Sequence, residues 1–314
     1  MDAIDFLDKE TYRSISRRWR DEISDALIGS HSTSSSIYQD NLFDDNAIPP
    51  VVLQQLGQEN IRTGGAVEAY IYRRFFRKQD QLSRALDYCK TSTKETFAIQ
   101  VLLDSFWKEP GLRRSIDKVY EIIVYALFYT LLDAMELKVE VSINKEKADL
   151  LKAFEDFTKH VIGIDFINPA YVQDARVYRV GVANAADRGL DMYSNWGPAI
   201  QIKHLTLDTS LACEIVDKVA SDRIVIVCKD AEKDIILSLL TQIGWRAKIQ
   251  SVITEQDLIR WYEAALRGPF SERLGDAVLN VLAEQLVEEF PSLEQTDTVL
   301  TARHYETIED PFWN

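Results

Sequence analysis

Cysteine is scarce. Cys89, Cys213 and Cys228 are the only three in 314 residues, too few and too scattered for a disulfide framework or a zinc site. Cys213 and Cys228 stand in apolar settings that suit packed thiols. The four histidines, His31, His160, His204 and His304, share no metal-ligand spacing. There is no Walker loop and no GxGxxG turn, which speaks against nucleotide-driven work and a nucleotide cofactor. No serine occupies a nucleophile elbow, and no internal repeat or heptad run is evident. The longest apolar run, near Ile122 to Leu132, is too short to span a bilayer, so no membrane role is expected. The acidic start, Met1-Asp2-Ala3-Ile4-Asp5, is unlike a secretion signal. The cytoplasm is the consistent address. Positive charge is also short: 36 Lys and Arg face 50 Asp and Glu, a net charge of −14. That balance argues against a general nucleic-acid coat protein. It leaves room for a specific nuclease, whose cleft needs only local positive charge and whose acidic exterior limits non-specific binding.

What is present reads as helices first and a mixed α/β core later. Ile4, Leu7, Tyr12, Ile15, Trp19, Ile23 and Leu27 recur at helical spacing, so residues 3–28 form a helix with a basic middle. The serine-rich Gly29 to Ser36 reads as a linker, and Asn41 to Pro50 as loop. Thr63-Gly64-Gly65 marks a turn before a helix over about Ala66 to Lys90. A third helix covers about Lys94 to Lys108. A fourth, Leu112 to Leu137, is apolar nearly all round from Val119 to Leu132 and therefore central to a core. Val139 to Ile143 alternates as a strand, Lys145 to Val161 reads as helix, and Val177 to Val180 as strand. Asp208-Thr209-Ser210 supplies caps for a helix over Leu211 to Ala220. Arg223 to Cys228 is a continuous apolar run, the mark of a strand buried on both faces. A helix over 231–243, a strand from Ala247 to Ile253, a helix from Thr254 to Leu266 and a last helix over 273–290 follow. From Pro291 the tail is polar and acidic.

The stretch Asp187 to Leu207 carries the chemistry. It reads as two antiparallel strands joined by the turn Ser194-Asn195-Trp196-Gly197-Pro198. Leu190 and Met192 share one face of the first strand, with Asp191 on the other. In the second strand Ala199, Gln201 and Lys203 share a face, and Ile200, Ile202 and His204 the opposite one. If the hairpin is symmetric about Trp196, Asp191 lies across from Gln201, and Lys203 across from Gly189, which has no side chain to block it. A carboxylate, an amide oxygen and an ammonium then converge. The two oxygens are hard ligands that suit Mg²⁺, and a lysine beside them can orient or deprotonate an attacking water. His204, next in sequence to Lys203, points away and reads as structural.

Asp191, nine residues, then Gln201-Ile202-Lys203 follows the active-site pattern of the PD-(D/E)XK nucleases. It departs twice: Leu190 stands for the proline and Gln201 for the second acid. The wider wording, Asn184-Ala185-Ala186-Asp187-Arg188-Gly189-Leu190-Asp191-Met192 and Gly197-Pro198-Ala199-Ile200-Gln201-Ile202-Lys203-His204-Leu205, resembles the catalytic segment of HaeII-type type II restriction endonucleases. Asp117-Lys118-Val119-Tyr120-Glu121-Ile122-Ile123-Val124-Tyr125-Ala126-Leu127-Phe128 resembles the helix that precedes the core strands in such enzymes. The resemblance runs over roughly residues 112–265. It implies a PD-(D/E)XK endonuclease-like mixed sheet flanked by helices, with a helical N-terminal region. It also implies Mg²⁺-dependent hydrolysis of duplex DNA at a short palindrome, GC-rich and such as RGCGCY, by a homodimer in a bacterial cytoplasm.

Asp191 and Gln201 would hold the metal, and Lys203 would activate the water. A second carboxylate could come from Glu121 on the core helix, which the resemblance includes, or from Glu214. Arg73, Arg74, Arg77 and Lys78 lie in the most basic and aromatic stretch and are candidates for DNA contact. Residues 1–110 then form a helical region for DNA recognition or dimerisation. Residues 111–270 form the catalytic core, and 271–314 a C-terminal helix and acidic tail. A structure-specific repair or recombination nuclease, a catalytically silent DNA-binding module and a helical interaction protein stay open as alternatives.

Overall fold

The computed structural model describes residues 50–108, 112, 115–180, 190–232, 248–290 and 304. The helix expected over 3–28, the serine-rich stretch, the loop at 41–49 and the tail from Pro291 other than His304 lie outside the described residues. So does nearly all of the helix expected over 231–243. The chain divides into two compact units, Met1–Arg84 with Pro291–Asn314, and Ala85–Phe290.

In the first unit α1 (Pro50–Arg62) begins on the proline where loop was expected to end. A proline suits the first helical position because its missing N–H would have no partner there. Gly64 and Gly65 then turn the chain at φ of +71° and +114°, conformations glycine tolerates at little cost. The Thr63 hydroxyl accepts the Ala66 amide at 3.2 Å and so caps α2 (Ala66–Thr91).

In the second unit α3 (Ile99–Lys108) starts five residues later than Lys94. The Thr96 hydroxyl accepts the Thr93 amide at 2.9 Å, and the Thr93 hydroxyl accepts the Glu95 amide at 3.3 Å. Such local bonds hold a turn in place of helix. The next helix, α4 (Ile116–Ala134), is the centre of the core, with Val119, Tyr120, Ile122, Ile123, Val124, Ala126 and Leu127 buried. Each large apolar side chain among them contributes roughly 1.5–3 kcal/mol. Two phenols fasten this helix to its neighbours. Tyr120 donates to the Cys228 carbonyl at 2.9 Å, and Tyr262 to the Ile123 carbonyl at 2.8 Å. The helix ends before Leu137 because Glu136 takes a left-handed φ of +51°.

A ribbon of β1 (Lys138–Ser142) and β2 (Ala170–Asp174) follows, the two strands antiparallel. β2 was not expected; four of its five residues are exposed, so it carries no apolar alternation to read. The helix expected between them is broken. Asn144 caps a 3₁₀ turn, α5 (Ala148–Ala153) stops at Phe154, and single turns run on to Gly163 at φ +85°.

The main sheet is five-stranded and mixed. Its order is β3 (Val177–Arg179), β4 (Met192–Ser194), β5 (Ala199–Leu207), β6 (Ile224–Ala231) and β7 (Ile249–Thr254). The first two pairings are antiparallel and the last two parallel. Between β5 and β6 the chain crosses over through α6 (Thr209–Lys218), capped as expected by Asp208, whose carboxylate accepts the Leu211 amide. Ala212, Ile215 and Val216 of α6 pack on Ala199, Ile224, Ile226 and Cys228. β6 is buried on both faces from Ile224 to Cys228. A Thr254–Asp257 capping box opens α7 (Glu255–Arg267), and α8 (Ser271–Glu289) closes the unit. Burial pushes the Cys89 and Cys228 thiols up to about 12, which leaves both inert near neutral pH.

The β4–β5 turn depends on Gly197. Its φ is +118°, and a β-carbon there would lie 2.8 Å from the Arg223 guanidinium, which donates to the Trp196 carbonyl at 2.7 Å. Asn195 holds the turn through its side chain. Its side chain accepts the Arg176 amide at 2.9 Å and donates to the Asp174 carbonyl at 2.7 Å. Gly197→Ala is expected to destabilise the fold by roughly 1–3 kcal/mol, the cost of a strained backbone residue. A urea midpoint that falls with unchanged slope checks this; an unmoved midpoint contradicts it.

Candidate active site

Met192 pairs with Ile200 and Tyr193 with Ala199. That register, continued one residue, sets Asp191 opposite Gln201, as symmetry about Trp196 requires. Asp191 Oδ2 accepts the Ile202 backbone N–H at 2.7 Å and also the Gln201 side-chain amide. The Lys203 ammonium stands 4.0 Å from the same oxygen. The Asp191 side chain is 12% exposed and that of Lys203 37%, so a largely buried carboxylate opens onto a partly exposed lysine. Gly189, expected opposite Lys203, lies outside the described residues.

Besides α6, the core helix α4 lies against this hairpin. Asp117, Lys118 and Glu121 occupy one side of α4, since residues three and four apart are neighbours on a helix. Glu121 is 5% exposed. The Lys118 ammonium holds both of its oxygens, at 2.8 and 3.0 Å. Asp117 Oδ1 accepts the His204 backbone N–H at 3.4 Å.

Burial pushes the Glu121 carboxyl above its ordinary value. The Lys118 hydrogen bond opposes that, and charge on Asp191 pushes it further up. Burial does the same to Asp191, against the Ile202 amide and the ammoniums of Lys203 and Lys118. Two desolvated carboxylates thus sense each other across the site, an arrangement that a cation relieves.

The ladder between β5 and β6 slips by one residue between Lys203 and Thr206. A bulge of this kind re-aims side chains beside a site. His204 points away from Lys203, as strand parity requires. It is buried, with its Nε2 3.1 Å from Glu255 and its ring edge-on to Tyr120 and Trp107. It anchors β5 to α7 and α4.

Glu214 is exposed and pairs with Lys218 at 2.5 Å, a bond that holds its carboxyl below its ordinary value. The basic candidates belong to α2. Arg73 is half-buried and has a partner of its own. The side chains of Arg74, Arg77 and Lys78 lie outside the described residues.

Lys118, Asp117 and Arg179 had no assigned role in the sequence. The spacing of Lys118 three residues before Glu121 was the visible signal, but its weight comes from the burial of Glu121. Arg179 on β3 pairs with Glu289 and donates to Gln285 at 2.9 Å, which ties the strand next to β4 to α8. Its charge also favours ionised Glu121.

The family model for the HaeII restriction endonuclease matches residues 1–305. The chain belongs to the HaeII restriction endonuclease family. The type II restriction enzyme HaeII of Haemophilus aegyptius is 53% identical over 294 residues, which cover 94% of this chain and 84% of that protein. The type II restriction enzyme NgoBI of Neisseria gonorrhoeae is 48% identical over 297 residues, 95% of this chain and 84% of that one. No solved structure matches. As a member of the HaeII family the chain is a restriction endonuclease, and its substrate is DNA. No described helix is long and apolar enough to cross a membrane.

The resemblance to the PD-(D/E)XK pattern implies a divalent ion such as Mg²⁺, and the donor atoms at this hairpin suit one. Among the described residues no three His, Cys, Asp or Glu side chains cluster as metal ligands. A cation here would rest on two carboxylates and one amide oxygen. Gln201 supplies the telling atom: the residue is 2% exposed, its Nε2 is spent on Asp191, and its Oε1 is buried with no hydrogen-bond partner. Such an orphaned acceptor is costly unless a cation or donor meets it, and Mg²⁺ at a phosphate commonly takes one or two carboxylates with other oxygens.

Proposed function

We propose that this chain hydrolyses one phosphodiester in each strand of duplex DNA at a short GC-rich palindrome such as RGCGCY, with Mg²⁺ as cofactor. The observation that carries this is Asp191 bonded to the Gln201 amide, whose own oxygen is buried and unpartnered, with Lys203 4.0 Å away and the buried Glu121 within electrostatic reach, in a chain of this family. Asp191, Gln201 and Glu121 would hold the ion. When bound, Mg²⁺ polarises the scissile phosphate and offsets charge on the leaving oxygen. Lys203 orients the attacking water, assists its deprotonation and stabilises charge gathering on phosphorus. The water oxygen bonds to phosphorus, one phosphorus–oxygen bond to a sugar breaks, and a proton goes to the departing oxygen.

Residues 111–270 act as the catalytic core, and residues 1–110 serve DNA recognition or dimerisation. Residues 271–314 form a C-terminal helix and acidic tail. Arg73, Arg74, Arg77 and Lys78 supply contacts to phosphates or base edges. A two-fold homodimer in the cytoplasm suits a palindromic site, since its symmetry brings one active site to each strand.

Plasmid DNA digested with Mg²⁺, with the ends sequenced, tests the proposal. Discrete fragments with one shared end sequence are expected. Cleavage confined to branched DNA would point to a structure-specific nuclease. Metal-independent binding without cutting would point to a silent DNA-binding module.

A further inference from the structure

Lys118 occupies an unusual place. Its ammonium reaches both oxygens of Glu121, whose carboxylate is nearly fully buried, while the lysine side chain itself stays 42% exposed. With Lys203 it sets two ammoniums against the carboxylates of Glu121 and Asp191. Asp117, on the same side of α4, adds a third carboxylate that acts on Asp191, so the two ammoniums offset most of the local negative charge and not all of it. A buried carboxylate needs a partner charge, because the loss of its hydration is otherwise uncompensated. Lys118 supplies it, but at the two atoms that a cation on Glu121 would have to contact.

We infer that Lys118 is a resident counter-ion that competes with the divalent metal for Glu121, and that the phosphate of bound DNA draws it away. This rests on the reading above of Glu121 as a metal ligand. Lysine suits such a task. Its charge sits on a flexible four-carbon stem with three rotatable donors, and the side chain is already partly exposed. Swung off Glu121, it meets the anionic backbone of DNA. The metal and the substrate then favour one another, since each weakens the grip of Lys118 on Glu121. An enzyme so arranged holds its metal weakly until DNA is in place.

Mn²⁺ titrations of the full-length protein without DNA, following the free ion by electron paramagnetic resonance, test this apart from cleavage. Lys118→Met is expected to bind Mn²⁺ about tenfold more tightly than the parent, within the usual range of coupling between two ligands. Lys118→Arg keeps the charge and should stay near the parent. Lys118→Gln leaves an uncharged donor beside Glu121 and must shift affinity in the same direction as Lys118→Met, which covers the case in which the methionine variant does not fold. Glu121→Gln should weaken Mn²⁺ binding. Unchanged or weaker binding in the Lys118→Met and Lys118→Gln variants, with Glu121→Gln weakened, overturns the role of Lys118 alone. Unchanged binding in Glu121→Gln overturns both that role and the assignment of Glu121 to the metal.

Discussion

Replacing Asp191 or Lys203 with alanine is expected to lower DNA cleavage by about 10³-fold or more while leaving DNA binding near its original level. A bound divalent ion contributes several kcal/mol of charge stabilisation in the transition state, and about 1.4 kcal/mol is worth a factor of ten in rate. Asp191 would bring a largely buried carboxylate to that ion, and Lys203 a positive charge to the water and the phosphate. Both act on the transition state more than on the bound duplex, so kcat should fall with little change in affinity. Lys203→Ala should be structurally mild, since Lys203 is partly exposed. Asp191→Ala leaves the buried Ile202 amide and Gln201 side chain without their shared acceptor, at a cost in stability, so Asp191→Asn, which keeps an acceptor oxygen there, is measured beside it. Single-turnover cleavage, paired with binding measured in Ca²⁺, checks both. Cleavage kept by Asp191→Ala would remove Asp191 from the site.

How much of this was legible in the chain depended on how locally each feature is encoded. The hairpin register was, because Gly197 and Pro198 fix the turn and the alternation of Ala199 to His204 fixes the faces; Met192 lies opposite Ile200 as the symmetry demands. The Thr254 and Asp208 caps and the doubly buried β6 were legible for the same reason. α1 was passed over because the polar stretch before Pro50 masked the start of a helix. The break at Phe154 was missed because helical spacing persists through it, and only the backbone conformation, φ −120° and ψ 32°, ends the turn. The facing of α4 against the hairpin joins residues about seventy positions apart, from Glu121 to Asp191. Glu121 stood out as a carboxylate near the start of a helix apolar nearly all round, and the family resemblance included it. The orphaned Gln201 oxygen could not be read at all, since it depends on which donors fail to reach a buried atom.

The source of the second carboxylate is the other large effect. Glu121→Gln is expected to lower cleavage by roughly 10²-fold, the order found when one pre-placed charge contact is lost at a transition state, and to raise the Mg²⁺ needed for half-maximal rate. Glu214→Gln should leave both near the original. The two glutamates differ in burial and in partner. Glu121 is desolvated, shares its pocket with Asp191, and has its carboxyl pushed upward by that burial. Lys118 offsets part of the cost of burying that carboxylate, yet the Glu121 carboxyl stays above its ordinary value, and a metal ion would offset the rest. Glu214 is solvated, near the start of α6, and satisfied by Lys218 one turn later. A carboxylate near a helix N-terminus is favourable with no metal at all. The amide in Glu121→Gln keeps the shape of the side chain and can still lie against the hairpin, so a loss of folding would not account for a change in metal demand. Mg²⁺ titrations of the cleavage rate in both variants decide between them. A raised requirement in Glu214→Gln with none in Glu121→Gln would move the second ligand to α6. No change in either would leave the ion to Asp191 and Gln201.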